Sequence, residues 1–277
     1  MQPQPTNSKQ RKNGVLPYGL LLVFILLSAF SSLPQNQKKP TLFLIGDSTV
    51  KNGKGKGDGG LWGWGNFLPA HFDTTRISVV NNALGGTSSR TFRTNGLWEK
   101  VQVNIKPGDF VLMQFGHNDN GPLADTARAR GTIKSNGEES QQIYNPIKKQ
   151  QEVVHSYGWY LRQFIADAKA KGATVYVCSP IPRNTWAAGE VNRAAGDYGL
   201  WAAEAAKQGG AYFIDLNKII ADKYDKEGEA KVRSTYFNTT DHTHTIEAGA
   251  RQNAASVADG LRSIKKNPLV KYMVKAS

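Results

Sequence analysis

Five short apolar runs, set apart by helical patterns, constrain this chain more than any other feature. Thr41–Ile45 (TLFLI) runs into Gly46, and Ile77–Ala83 is followed by Gly85-Gly86. Asp109–Phe115 is closed by Gly116, and Ala173–Ser179 by Pro180; Ala211–Leu216 is the fifth run. Near-continuous apolar runs of this length read as strands buried on both faces. Between them lie helical spacings. Val153, Tyr157, Tyr160, Phe164 and Ala168 recur at intervals of three and four, ending at Gly172. Val191 to Lys207 is alanine-rich and reads as a helix, and Ile246, Ala250, Val257 and Leu261 mark the last one. Strands alternating with helices predict an α/β domain with a parallel sheet covered on both faces. No internal repeat and no second hydrophobic core emerges, so residues 41–264 form one domain. Residues 265–277 are a basic C-terminal tail, and the polar stretch 120–150 is either a substrate-side lid or a mobile insertion.

The N-terminus lies apart from that domain. Lys9, Arg11 and Lys12 precede Gly19–Phe30, which is free of charge, and Ala29 and Ser31 suit signal peptidase. Residues 1–31 therefore read as a signal peptide, with an uncleaved anchor as the alternative, and 32–40 as a polar linker. The expected location is periplasmic or secreted. The formal charge is +13; losing residues 1–31 removes three cations and no acid, leaving 32 cations against 22 acids. Export argues against nucleic acid as the partner of this basic surface and favours an acidic polymer. One cysteine, Cys178, excludes an intrachain disulfide framework and reads as an inert thiol inside the fourth strand.

In open parallel sheets, sites gather beyond the carboxyl ends of the strands. There the chain places Gly46-Asp47-Ser48-Thr49, Gly85-Gly86-Thr87-Ser88 and Gly116-His117-Asn118-Asp119. Asp241-His242-Thr243-His244 stands just before the last helix. Any one of these alone is an ordinary turn; four together on one rim form a constellation.

These blocks resemble those of the SGNH, or GDSL-type, hydrolases. Gly46-Asp47-Ser48 matches the nucleophile block, Gly86 the glycine block, Asn118 the asparagine block, and Asp241-x-x-His244 the C-terminal block. Gly85 adjoins Gly86, which leaves the glycine assignment open by one residue. The wording Asn82–Arg90 (NALGGTSSR) and Asp241–Thr245 (DHTHT) is similar to the rhamnogalacturonan acetylesterase branch. The resemblance implies a flavodoxin-like three-layer α/β/α sandwich with five parallel strands, no cofactor, and hydrolysis of acetyl esters on a galacturonate-containing backbone. No protein partner is implied, and a monomer is expected.

The residues fit that chemistry. A neutral serine needs a base within hydrogen-bond reach. An aspartate three residues before a histidine can turn back to its Nδ1–H, as Asp241 can to His244. Ser48, His244 and Asp241 are therefore the expected triad. The backbone N–H groups of Ser48 and Gly86, with the Asn118 amide, are the expected oxyanion donors. His155 reads as a surface residue of the long helix, and His117 as structural. Asp47 and Asp119 are expected to order their loops. His242, Trp62 and Arg90 are candidate substrate contacts, Arg90 as a bidentate ligand of a uronate or as a brace for the Gly86 loop. Lys51, Lys54, Lys56 and Arg93 add positive charge near the same strand ends. No metal is expected: His242-x-His244 lacks a third ligand at a usual spacing. Other SGNH esterases, acting on xylan, peptidoglycan or lipid, share these motifs. A carbohydrate-binding protein without activity would not need all four site residues intact.

Overall fold

The computed structural model describes residues 1–4, 39–193 and 197–275. The signal segment, beyond residue 4, and the linker up to residue 38 lie outside them. The chain divides into residues 1–38 and 39–277, and the second unit holds every strand and helix described below. No helix among the described residues is long and apolar enough to cross a membrane.

All five expected strands are present. They are β1 (Thr41–Gly46), β2 (Ser78–Asn81), β3 (Phe110–Gln114), β6 (Thr174–Cys178) and β7 (Tyr212–Ile214). Every pairing is parallel, in the order β7-β6-β3-β1-β2. This is the flavodoxin-like order, with its switch point between β1 and β3. Alternation along β1 divides the core. Leu42 and Leu44 enter one apolar cluster, Phe43 and Ile45 the other. Each such side chain contributes about 1.5–3 kcal/mol on burial.

Helices cover both faces. Phe92, Trp98, Phe164 and Ala202 bring α1 (Ser89–Thr94), α2 (Leu97–Gln102), α3 (Tyr157–Ala170) and α4 (Tyr198–Gly209) onto the Phe43 face. Ile220, Val232 and Val257 bring α5 (Leu216–Glu227), α6 (Glu229–Tyr236) and α7 (Glu247–Ser263) onto the Leu44 face. Residues 265–275, expected as a tail outside the domain, pack onto it. Leu269 is fully buried, Met273 pairs with Phe72, and the Val274 N–H donates to the His71 carbonyl at 3.1 Å.

Two expected helices begin later than their spacing predicts. Ser156 caps α3 by accepting from the Trp159 N–H at 3.0 Å, so Val153 and His155 fall outside it. They belong to a hairpin of β4 (Ser140–Asn145) and β5 (Gln150–His155). His155 therefore lies on a strand, its ring stacked on Trp159 at 3.7 Å. Asp197 caps α4, while Val191 pairs with Trp186 in a two-residue ladder.

The hairpin gives the 120–150 segment its anchor, and Arg90 is the bolt. Its side chain is fully buried and forms a bidentate pair with Glu152, Nε to Oε1 at 2.8 Å and Nη2 to Oε2 at 2.9 Å. Nη1 donates to the carbonyls of Leu123 and Gly131 at 2.8 and 2.9 Å. Arg90 is thus a brace that substrate cannot reach. Burial would raise the Glu152 carboxyl, but hydrogen bonds from Arg90 and Asn145 hold it below its ordinary value. Removing one member of such a pair strands the other as a buried charge, at about 3–5 kcal/mol. Glu152→Ala is expected to lose stability of that order in denaturant unfolding at neutral pH. A loss under about 1 kcal/mol would mean the pair behaves as an exposed one.

Candidate active site

The rim over β1 and β3 collects the motif residues. Gly46 ends β1 because nothing larger fits: a Cβ there would meet the Gln114 carbonyl at 2.4 Å. The chain then turns around the Asp47 carboxylate. Its Oδ1 accepts from the Thr49 N–H at 2.9 Å and the Thr49 hydroxyl at 2.7 Å. Gln114 Nε2 donates to that hydroxyl at 2.5 Å, and the Trp64 indole donates to Gln114 Oε1 at 2.9 Å. Donors thus run one way from Trp64 to Asp47, and Ser48 rides on top at 8% exposure.

Ser48 Oγ lies 2.7 Å from His244 Nε2, and His244 Nδ1 lies 2.7 Å from Asp241 Oδ2. Asp241 Oδ1 accepts from the N–H groups of Thr243 and His244 at 2.7 and 2.9 Å. Burial would raise the Asp241 carboxyl; the His244 N–H, its imidazole and the Thr243 N–H outweigh it and hold it low. The segment after His244 is clamped by the antiparallel pairing of Thr245 with Trp62 and Ile246 with Leu61.

Asn118 Nδ2 donates to the Thr87 carbonyl at 2.8 Å, which fixes the amide at the cleft and leaves one of its two N–H donors for another acceptor. Of the two adjoining glycines, Gly86 has φ +83° with open space around it, so its backbone conformation demands glycine; Gly85 has no such angle. Ser48, Gly86, Asn118 and His244 line one cleft.

Other candidates fall elsewhere. Trp62 is half-buried, 5.2 Å from Phe67, and holds the His244 segment from behind. His242 is exposed and lines a separate depression with Asn184 and Asn238. Arg93 pairs with Asp167. His117 Nε2 donates to the Ile181 carbonyl at 3.0 Å, and Nδ1 faces Asp47 Oδ2 at 3.4 Å. Cys178 is buried in β6, and burial pushes its thiol well up, as expected of an inert group. Sequence reasoning missed Arg128, Arg130 and Arg183, which line the cleft. Arg183 lies five residues past the end of β6, within reach of the strand-end rule.

Asp119 accepts from the Ser89 hydroxyl at 2.5 Å and the Ser89 N–H at 3.1 Å, tying the Asn118 loop to α1. Complete burial, helped by the Asp47 charge, pushes its carboxyl up to about 7. Between the unfolded value near 4 and 7, the folded chain holds a proton that the unfolded chain has lost, so stability falls as pH rises. Asp119→Asn removes that dependence. The mutant is expected to compare better with the parent at pH 8 than at pH 5 in thermal unfolding. An equal difference at both pH values would show that Asp119 titrates normally.

Known proteins resemble this chain over the same region. A model of the GDSL-like lipase/acylhydrolase family matches residues 44–252. The rhamnogalacturonan acetylesterase of Emericella nidulans is 29% identical over 227 residues, 82% of this chain and 86% of that protein. The probable rhamnogalacturonan acetylesterase YesY of Bacillus subtilis is 31% identical over 239 residues, 84% of this chain and 97% of that one. The crystal structure of YxiM from Bacillus subtilis superposes with a TM-score of 0.63 at 26% identity; 81% of this chain is covered, but only 56% of that one. Axe2, an acetylxylan esterase from Geobacillus stearothermophilus, shares the fold, with a TM-score of 0.51, 18% identity, and 80% and 93% coverage. The chain belongs to the GDSL-like lipase/acylhydrolase family and is a carboxylic ester hydrolase.

Proposed function

We propose that this enzyme is exported and removes O-acetyl groups from an acidic plant cell-wall polysaccharide, with pectic rhamnogalacturonan as the preferred polymer. The observation that carries the chemistry is the unbroken chain from Ser48 Oγ through His244 to Asp241, with both links at 2.7 Å. His244 Nε2 takes the hydroxyl proton as Ser48 Oγ bonds to the acetyl carbonyl carbon. Asp241 holds Nδ1–H and stabilises the imidazolium that forms. The N–H groups of Ser48 and Gly86 and the Asn118 amide receive the oxyanion. His244 returns the proton to the sugar oxygen, which leaves as an alcohol. Water, deprotonated by the same imidazole, then releases acetate from the serine. No cofactor enters these steps.

The substrate reading is supported by the names of the two acetylesterase relatives and by the charge of the chain. A sugar polymer is an extracellular substrate, which agrees with the signal sequence read at 1–31. Xylan remains the competing polymer through the fold shared with Axe2.

Ser48→Ala is expected to abolish acetate release while leaving the melting temperature within a degree or two, since the hydroxyl carries no core packing. Asp241→Asn is expected to lower kcat by roughly 10⁴ with little change in KM. Normal turnover with weakened binding would instead assign Asp241 to substrate contact. The polymer is tested by acetate release from acetylated rhamnogalacturonan, homogalacturonan, xylan and a lipid ester. The pectic polymers are expected to lead, with kcat/KM falling as salt is added. Faster release from xylan would overturn the pectic reading.

A further inference from the structure

The cleft around Ser48 is lined by Arg128, Arg130 and Arg183 and by His117 and His244, and among the described residues no aspartate or glutamate lines it with them. Elsewhere the chain neutralises its guanidiniums. Among the described residues, seven of the other eight arginines have a carboxylate within 4.0 Å, and Arg76 lies over the Tyr272 ring. Of these described arginines, the three at the cleft stand together without an acid in that range.

Their positions are fixed by the fold. Asp125 gathers the loop beneath two of them, its carboxylate accepting from the N–H groups of Ala127, Arg128 and Ala129 at 2.9, 2.7 and 2.8 Å. Ala129 is buried with φ +43°, a conformation that L-residues other than Asn and Asp rarely adopt. That kink tucks the methyl group inward and leaves Arg128 and Arg130, two residues apart, on the cleft. Arg130 Nη1 donates to the Gly86 carbonyl at 2.9 Å. Arg183 donates through Nη1 to the Thr243 hydroxyl and through Nη2 to the His117 carbonyl at 3.2 Å. Each of these contacts occupies only part of the guanidinium's five N–H donors, and all are to neutral oxygens. Burial and the neighbouring Arg128 charge lower the Arg130 pKa against the opposing charges of Asp125, Asp119 and Asp47, and a bound anion would relieve what remains of that cost.

We propose that Arg128, Arg130 and Arg183 form a carboxylate-binding subsite beside Ser48 that holds a uronate residue of the substrate and so sets which acetyl group reaches the nucleophile. The proposal rests on the acidic-polysaccharide reading and sharpens it. Planar forks suit carboxylates, which they bind bidentately, and their strength grows where water is partly excluded. Arg183 also touches Thr243, between Asp241 and His244. A uronate seated on it would therefore be registered directly against the proposed base.

The test uses hydrolysis of 4-nitrophenyl acetate, a small neutral ester, as a reporter. Its competitors are trigalacturonate without acetyl groups, the same trisaccharide with its carboxyls reduced to alcohols, and sodium sulfate at matched ionic strength. Trigalacturonate is expected to inhibit competitively at a concentration on the order of tenfold below that of the reduced sugar. Arg128→Gln, at an exposed position outside the core, is expected to erase most of that difference, and Arg128→Lys to keep part of it. Equal inhibition by the two sugars, no inhibition by either, or an unchanged difference in Arg128→Gln would overturn the subsite. Inhibition by sulfate as strong as by trigalacturonate would make it a general anion site and equally overturn the proposal. The assay needs no acetylated sugar. Failure to release acetate from pectic polymers would therefore count against the proposed function, and failure of trigalacturonate to inhibit would count against the subsite.

Discussion

A buried carboxylate at the end of the first strand organises the site. Asp47 has no exposure, and burial would raise it, yet the nearby His117 imidazole and then the hydrogen bonds from Thr49 overcome that effect and hold it below its ordinary value. It therefore acts as a fixed negative centre. Thr49, Gln114 and Trp64 feed hydrogen bonds into it from β3 and from the segment after β1, and His117 faces it from the loop beyond β3. It adds a side-chain link at the ends of two strands that already pair along the sheet on either side of its switch point. Ser48 is the residue between Asp47 and Thr49, so its hydroxyl inherits that rigidity. Preorganisation of this kind is what an esterase nucleophile requires, because any freedom left to the hydroxyl must be lost again at the transition state.

The arginines divide along the same logic. Arg90 spends its donors on Glu152 and two carbonyls and is sealed in the fold. It fastens the insertion through β5 to α1, immediately after the Gly86 loop. Residues 121–131 cross from that anchor toward the cleft, and the Asp125 turn presents Arg128 and Arg130 there. One buried ion pair holds the insertion's base so that two unpaired charges can be carried at its tip.

The sheet was legible because β1, β3 and β6 are buried on both faces, which leaves an unbroken apolar run in the sequence. Ser48 and Asn118 were legible because strand ends confine the search to a few residues, and Asp241 and His244 because a three-residue spacing pairs them ahead of the last helix. The β4–β5 hairpin was hidden for the opposite reason. Val154 and Ile143 are buried while Val153 and Tyr144 face solvent, and Val153 happens to continue the spacing of α3. Only the Ser156 cap separates the two, and a capping serine is a weak local mark beside a strong periodicity. Helix α6 escaped because Val232 is its one buried residue, whereas α5 buries Leu216, Ile220, Ala221 and Tyr224 at helical spacing among its charges, a signal that went unread. Arg90 stood open between uronate ligand and brace because it adjoins the glycine loop in sequence. Its partner Glu152 is 62 residues away, and nothing local announces the pairing.

That same distance governs the site as a whole. Ser48 and His244 are 196 residues apart, and their 2.7 Å contact exists only when the first strand and the last helix are both in place. Two devices keep the far end in register. The short ladder between Leu61–Trp62 and Thr245–Ile246 joins the segment after Ser48 to the segment after His244. Asp241 divides its carboxylate, one oxygen on the Thr243 and His244 N–H groups and the other on the imidazole. The oxygen that shapes the turn and the oxygen that orients the ring therefore belong to one rigid group. A distortion of the turn cannot leave the imidazole behind; it rotates the ring away from Ser48. Loop conformation and base orientation are a single variable here, which is why a three-residue spacing suffices where a more distant aspartate would need a further constraint to hold its angle.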